Sequence, residues 1–133
     1  MLQTEIKEGV ATIWMNRPDV HNAFDDVLIA ALTAELRRLE QLPEVRVIVL
    51  AANGKSFSAG ADLNWMQRMA KYSREENLRD AMALAGLMRT LDGLTKPTVA
   101  RVQGAAFGGG VGLVACCDIA IASTDAAFSL SEV

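Results

Sequence analysis

The sequence predicts an α/β protein whose sheets are mainly parallel. Apolar strand-like runs alternate with amphipathic helical segments, and long connections separate the apolar runs. This arrangement is typical of parallel strands joined by helices. In addition, a strand-like run leads twice through a glycine loop into a helix, in Lys55–Met66 and in Pro97–Asp118. Two such units in one chain indicate an internal structural repeat.

The first third of the chain predicts a hairpin, a loop and a long helix. Two short β-rich runs, Leu2–Lys7 and Val10–Met15, meet at the turn signal Glu8-Gly9. A loop that contains Asn16-Arg17-Pro18 leads to a helix over about Asp25–Leu42. Apolar residues three or four positions apart form one face of this segment, namely Phe24, Leu28, Ala31, Leu32, Leu36 and Leu39.

The middle of the chain predicts a buried strand and two more helices. Val45–Ala51 is nearly all apolar, as expected of a strand covered on both faces. A glycine loop then enters a short helix. A longer helix over about Arg74–Leu91 opens with a capping box made by Ser73 and Glu76. Its inner face is predicted to consist of Leu78, Ala81, Met82, Ala85, Met88 and Leu91.

The stretch after Pro97 predicts a strand, a glycine loop and a buried helix. Thr98–Val102 is β-rich, Gly104–Gly110 is predicted as the loop, and Val111–Cys117 is apolar on every side. A helix that starts at Gly109 or Gly110 leaves its first N–H groups unpaired and carries a partial positive charge there. Such a terminus attracts an anion, or an oxygen that is becoming one.

Two short strands are predicted after the buried helix, at Ile119–Ala122 and Ala127–Leu130. The sequence then stops one residue after Glu132, with no closing helix to cover the sheet. Because soluble proteins usually avoid an open sheet edge, we expect the 133 residues to be the front part of a longer protein.

Composition narrows the possible classes of function. The chain is 51% hydrophobic and 22% charged, which excludes a disordered protein. A net charge of −3 gives no electrostatic case for nucleic acid or an anionic membrane. The start lacks a signal peptide, and the longest apolar run is too short for a membrane span of about 20 residues. We therefore expect a cytoplasmic protein, in which Cys116 and Cys117 are small core residues.

Several common functional motifs fail on inspection. Gly54-Lys55-Ser56 has the ending of a phosphate loop, but the first glycine that the loop requires falls on Val49. The His, Cys and carboxylate residues show no metal-ligand spacing, so no metal site is predicted. Ser129 and Ser131 have no histidine downstream to activate them, which disfavours a serine hydrolase.

Three motifs, taken in order, resemble the crotonase superfamily of enoyl-CoA hydratases and isomerases. They are Phe57–Asp62, then Gly104–Gly110 running into Cys117–Ala122, then Phe128–Glu132, and the resemblance covers all 133 residues. The sequences of Gly108–Leu113 and Asp62–Met66 are most similar to those of bacterial hydratases that act on branched glutaconyl-CoA thioesters, of the methylglutaconyl and isohexenylglutaconyl type.

The resemblance implies a fold, an assembly and a substrate class. The fold would be a spiral of strand-strand-helix repeats, and residues 1–133 would be the N-terminal part of one such domain, without its C-terminal part and trimerisation helices. A homotrimer or a dimer of trimers would be expected at full length. The substrate would be an acyl-CoA thioester, so coenzyme A would enter as part of the substrate and no separate cofactor is expected.

The resemblance also assigns the chemistry. Hydration of an α,β-unsaturated thioester pushes negative charge onto the thioester oxygen, and the backbone N–H groups of Ala61 and Gly109 would stabilise that enolate. Glu132 would act as the acid and base. An apolar acyl pocket would raise the pKa of this carboxyl, which suits a group that both holds and releases a proton.

The remaining site residues follow from the same resemblance. Substrate contacts are implied for Ser58, Ala59, Gly60, Ala61, Asp62, Leu63, Trp65, Phe107, Gly108 and Gly112. A loop near coenzyme A would contain Arg17, His21, Asn22 and Ala23. Arg17 or His21 would contact a phosphate, although an ordinary surface histidine is the simpler interpretation of His21. Trp65, with Met66 and Met69, would either line the acyl pocket or belong to the core.

One departure from the family pattern keeps alternatives open. Many hydratases of this family carry a second glutamate where this chain has Gly112, which would leave room for substrate or serve close helix packing. One-acid chemistry also fits double-bond isomerisation.

A non-catalytic acyl-CoA-binding module or an inactive fragment is the alternative from another class. Some relatives bind RNA through a lysine-rich helix, but mixed charges in Gln67–Asp80 argue against that here.

Overall fold

The chain forms two sheets, four α-helices and one short 3-10 helix (Pro18–Val20) within residues 1–130, the part that the computed structural model describes. The strands are β1 (Leu2–Lys7), β2 (Val10–Met15), β3 (Val47–Ala52), β4 (Ser58–Ala59), β5 (Thr98–Val102), β6 (Ala105–Phe107), β7 (Ile119–Ala122) and β8 (Ala127–Ser129). The helices are α1 (Asp26–Glu40), α2 (Leu63–Met69), α3 (Arg74–Asp92) and α4 (Gly109–Cys116).

The sheet topology confirms the predicted α/β class. The larger sheet has the order β1-β2-β3-β5-β7, and only its β1–β2 hairpin is antiparallel. The smaller sheet, β4-β6-β8, is parallel throughout. From β3 onward, successive strands alternate between the two sheets, with helices following β4 and β6. The chain is therefore built from strand-strand-helix repeats.

The core lies between one face of the larger sheet and the helices. Alternate residues of β2, β3 and β5 point into it, including Ile13, Leu50 and Val102, all at most 2% exposed. The predicted apolar face of α1 is confirmed, because its four leucines (Leu28, Leu32, Leu36 and Leu39) are fully buried. The carboxylate of Asp25 caps this helix by accepting the Leu28 N–H at 2.7 Å.

Helix α3 confirms one prediction and corrects another. The capping box of Ser73 and Glu76 is present. The predicted inner face is wrong at four of its six positions, because Leu78 and Met82 are each 60% exposed and Ala81 and Ala85 are exposed as well. Burial in α3 begins at Leu87. The apolar stripe begins near the start of α3. Within residues 1–130, the core covers only the C-terminal part of this stripe.

Both cysteines lie in the last turn of α4 and just after it, partly buried against the core. Burial is the main cause that raises the pKa of Cys117 to about 11, and it also raises the pKa of Cys116. The two thiols are therefore protonated at neutral pH, as expected of core residues.

None of the helices within residues 1–130 is long and apolar enough to cross a bilayer.

Candidate active site

The candidate site lies where two parallel strands of the smaller sheet separate. Ala59 pairs with Phe107 at the end of the β4–β6 ladder, and the Gly60 N–H donates to the Phe107 carbonyl at 3.5 Å. The Gly60 carbonyl then accepts from the Phe24 N–H at 3.1 Å, while the other strand enters α4. A gap opens between the two chain segments because each takes a different partner.

Ala61 and Gly109 occupy equivalent positions in this gap, each two residues beyond the last paired residue. The Gly60 carbonyl points to Phe24, so the Ala61 N–H, which lies in the same trans peptide, points away from Phe24. The Gly108 carbonyl accepts from the first turn of α4, so the Gly109 N–H points out of the helix. Neither N–H donates a hydrogen bond within residues 1–130.

Gly108 makes the entry into α4 possible. Its φ of +59° and ψ of −119° are strongly disfavoured for a residue with a Cβ. Its N–H donates to the Ser129 carbonyl at 2.9 Å, and its own carbonyl accepts from Val111 and Gly112. The strand therefore changes directly into a helix whose positive end lies at Gly109.

Phe24 contacts both candidate amide segments, a role that the sequence did not indicate beyond its place on the apolar face. Its backbone lies between the Gly60 carbonyl and the Asp62 N–H, at 3.1 and 2.6 Å. Its ring lies against Gly109, where an added Cβ would come within 2.3 Å of the ring carbon Cε2. Glycine at 109 therefore allows the two segments to approach across the Phe24 ring.

A cavity of about 400 Å³ opens beside Ala61. Eight residues within the described part of the chain line it, and the sequence singles out six of them. The eight are Val20, His21, Ala23, Ala59, Ala61, Asp62, Leu63 and Asn64. A second cavity of about 410 Å³ lies around Trp14 and Arg101, at the ends of strands in the larger sheet. Its lining within residues 1–130 contains no predicted site residue, so the cavity beside Ala61 is the candidate binding site.

Arg17 and Asp62 have partners that the sequence did not indicate. The Arg17 guanidinium binds Asp25 and Asp62, with both nitrogen-to-oxygen distances at 3.0 Å. Asp62 also caps α2 by accepting the Trp65 N–H at 3.1 Å. That hydrogen bond is the main cause that lowers the Asp62 pKa, and Arg17 contributes, against an opposing effect of burial. Arg17 is thus engaged by carboxylates where a phosphate contact was expected.

Three other predicted contact residues are buried. The Asn22 side chain is fully buried and donates to the carbonyls of Asn53 and Ser56, so its amide is directed into the protein. The Ser58 hydroxyl is also buried and donates to the Asn22 carbonyl. Trp65 is 5% exposed and belongs to the hydrophobic core, as one of its two interpretations expected, and its contact with substrate stays a prediction.

His21 remains at the rim of the cavity. The residue is exposed, and its Nδ1 lies 3.0 Å from the Ser56 hydroxyl. Its carbonyl accepts from the Ala59 N–H at 3.0 Å, which joins this loop to β4. The loop before α1 therefore forms one wall of the cavity. Glu132, the predicted acid and base, lies outside the described residues.

Glycines 110 and 112 lie in the same helix but face different neighbours. A Cβ on Gly110 would come within 2.3 Å of the Ser58 carbonyl oxygen, which is backbone of β4. A Cβ on Gly112 would come within 2.9 Å of Cε of Met88, the end of a flexible side chain. Gly112 thus packs against α3, in agreement with the close-packing interpretation.

The different neighbours predict different stabilities. Gly110→Ala is expected to destabilise the protein by about 1–3 kcal/mol, because backbone atoms must shift. Gly112→Ala is expected to stay within about 1 kcal/mol of wild type, since Met88 can move and alanine favours the helix. Urea denaturation of both variants checks this. Equal destabilisation would contradict the packing described here.

Comparison with known proteins places the chain in a family. The family model for enoyl-CoA hydratase/isomerase matches residues 5–133. A crystal structure from Legionella pneumophila, assigned to the enoyl-CoA hydratases/isomerases (crotonases), superposes with a TM-score of 0.96 at 55% identity. That match covers 98% of this chain and 51% of the other.

Curated relatives include both hydratases and isomerases. Hydroxycinnamoyl-CoA hydratase-lyase of Pseudomonas fluorescens is 36% identical over 99% of this chain and 49% of its own length. The peroxisomal Delta(3,5)-Delta(2,4)-dienoyl-CoA isomerase of Arabidopsis thaliana is 34% identical over 100% of this chain and 51% of its own. The chain spans about half the length of these relatives, and it belongs to the enoyl-CoA hydratase/isomerase family.

Proposed function

We propose that the protein carrying this chain adds water to the double bond of an α,β-unsaturated acyl-CoA thioester. The observation that supports this most is the pair of N–H groups at Ala61 and Gly109, without acceptors in residues 1–130, where β4 and β6 separate. Acyl transfer to a side chain would require an activated nucleophile, and among residues 1–130 no cysteine or serine lines the cavity beside Ala61.

The two amides would act on the thioester oxygen. As water adds to the β-carbon, negative charge moves to this oxygen, and donors fixed in advance stabilise it without reorganising. Each such donor typically contributes about 3 kcal/mol in the transition state. The N-terminus of α4 lies behind the Gly109 donor and adds a favourable electrostatic field.

Glu132 is proposed as the group that moves the proton. Its assignment depends on the resemblance of Phe128–Glu132 to the family motif. The described part of this motif supports it, because the Ser129 carbonyl accepts the N–H of Gly108 at 2.9 Å. Strand β8 therefore ends beside the start of α4 and hence beside one of the proposed donors.

The cavity beside Ala61 would receive the pantetheine arm of coenzyme A. Its wall combines small apolar side chains, such as Ala59 and Ala61, with the exposed edge of His21. His21 is the proposed polar contact for a phosphate, since Arg17 already binds two carboxylates. The remainder of the acyl pocket, a homotrimer and a cytoplasmic location belong to this proposal as expectations from the family.

Double-bond isomerisation is the second candidate, and Gly112 is the observation that favours it. A second carboxylate at that position is absent, and the backbone there packs against Met88. Isomerisation needs one acid to move a proton between two carbons, whereas hydration must also activate a water. For the acyl group we propose a branched glutaconyl-type chain, because the sequences of Gly108–Leu113 and Asp62–Met66 resemble those of hydratases with such substrates.

Product analysis separates these candidates. The protein at its natural full length is incubated with straight-chain, branched and 3-enoyl CoA thioesters, and products are identified by mass spectrometry and NMR. A product heavier by one water, formed fastest from a branched 2-enoyl substrate, is the expected result. A product of unchanged mass would favour the isomerase. Binding of coenzyme A thioesters without turnover would instead support the non-catalytic alternative.

A further inference from the structure

We propose that Arg17 is a positioning residue that fixes the direction of the Ala61 N–H by holding the first turns of α1 and α2 together. The effect of this role on catalysis rests on the proposed function. The structural part of the role depends only on contacts within residues 1–130. Arg17 reaches the site from the loop before α1 and does not line the cavity.

Two carboxylates divide their oxygens in the same way. Asp25 uses Oδ1 to accept the Leu28 N–H and Oδ2 to bind Arg17, and Asp62 uses Oδ1 for the Trp65 N–H and Oδ2 for Arg17. Each carboxylate is the N-cap of its helix. The guanidinium therefore joins two helix caps through charge-assisted hydrogen bonds, which are stronger than neutral ones.

The joined caps flank the peptide that carries the proposed donor. Phe24, directly before Asp25, bonds to the Gly60 carbonyl and the Asp62 N–H, on either side of Ala61. If the two caps separate, this bridge opens, and the peptide between Gly60 and Ala61 can rotate. Arg17 thus controls an amide that it does not contact.

The chain supplies a matched control in the ion pair of Arg68 with Asp26. This pair also joins α2 to the first turn of α1, with a distance of 3.0 Å. It lies on the surface, where its side chains are 49% and 40% exposed, compared with 21% for Arg17 and 8% for Asp62. Neither of its members caps α2 or lies next to the Phe24–Ala61 bridge.

Hydrogen exchange tests the structural part without any assay of activity. In the protein at its natural full length, Arg17→Met is expected to increase the exchange rates of the Phe24 and Asp62 amides at least tenfold. Arg68→Met is expected to change them less than twofold. Arg17→Lys retains one charge but cannot span both carboxylates, so its exchange rates should be intermediate. It replaces Arg17→Met in the experiment if that variant does not fold. Unchanged exchange in the Arg17 variants would overturn the proposal.

Kinetics test the catalytic part. Arg17→Met is expected to lower kcat about ten- to a hundredfold while KM changes less than threefold, because substrate still binds but the donor is misdirected. Propylguanidinium added to Arg17→Ala should restore part of the lost kcat. Unchanged kcat with faster exchange would overturn the positioning role. A wild type that converts no thioester would refute the proposed function alone, and the exchange result would then decide the inference.

Discussion

Replacing the Gly109 amide by an ester is expected to lower kcat by roughly a hundred- to a thousandfold, the loss typical of one oxyanion donor. Incorporation of glycolic acid at position 109 removes the N–H and adds no side chain, so the contact with the Phe24 ring is preserved. The Gly109 N–H has no acceptor within residues 1–130, so the change removes no donor of a described hydrogen bond, while the Gly108 carbonyl becomes an ester and accepts more weakly from Val111 and Gly112. Steady-state kinetics on the best thioester substrate measure the effect.

A matched ester in α1 separates catalysis from general damage. Lactic acid in place of Ala34, on the exposed side of α1, removes one helical hydrogen bond far from the cavity and should leave kcat within about twofold of wild type. Lactic acid in place of Ala61 should resemble the Gly109 ester. If both esters in the site leave kcat within threefold and the protein remains folded, the paired-donor proposal fails.

Much of the fold could be predicted because local signals agreed with the tertiary structure. The hairpin of β1 and β2 followed from two β-rich runs that meet at Glu8-Gly9, and its strands have the predicted bounds. The capping box of α3 depends on neighbouring residues alone, so it too was readable from the sequence. The existence and bounds of the long helices α1 and α3 were also predicted to within about two residues, since many residues contribute to a periodic signal.

Two strands of the smaller sheet, β4 and β6, were not predicted. Ser58–Ala59 and Ala105–Phe107 contain two and three residues, and both lie among glycines, which indicated loops there. They form because distant segments align them, since β4 pairs with β6 across the whole of α2 and α3. The gap that makes the candidate site is thus a tertiary feature.

Side-chain contacts in the candidate site were harder to predict than backbone elements. The glycine-rich segment before α4 indicated that this helix starts at Gly109 or Gly110, and it starts at Gly109. The donor roles of Ala61 and Gly109 came from the family resemblance and stay predictions. Nothing local distinguishes an arginine that contacts a phosphate from one that joins two helix caps, as Arg17 does. A signal was present in the acidic residues that begin α1 and α2, since two buried carboxylates near each other require a cation.

Glu132→Gln is expected to lower kcat by roughly a hundred- to ten-thousandfold, the range typical of losing a general acid or base. Glutamine keeps the size of the side chain but cannot release a proton, so substrate binding should be affected far less than turnover. The pH profile adds a separate criterion. The limb that reports ionisation of the catalytic carboxylate should disappear in this variant, whereas the Gly109 ester should retain it, because that change removes a donor that does not titrate.

Glu5→Gln is the control, because Glu5 is an exposed carboxylate on β1 and the exchange is equally conservative. It should leave kcat and the pH profile unchanged. Incorporation of solvent deuterium at the α-carbon of the product gives an independent reading, since a protein without its acid should transfer this proton slowly. If Glu132→Gln keeps the wild-type kcat, another group must move the proton. The paired amides would then stabilise an enolate whose proton donor lies elsewhere in the protein.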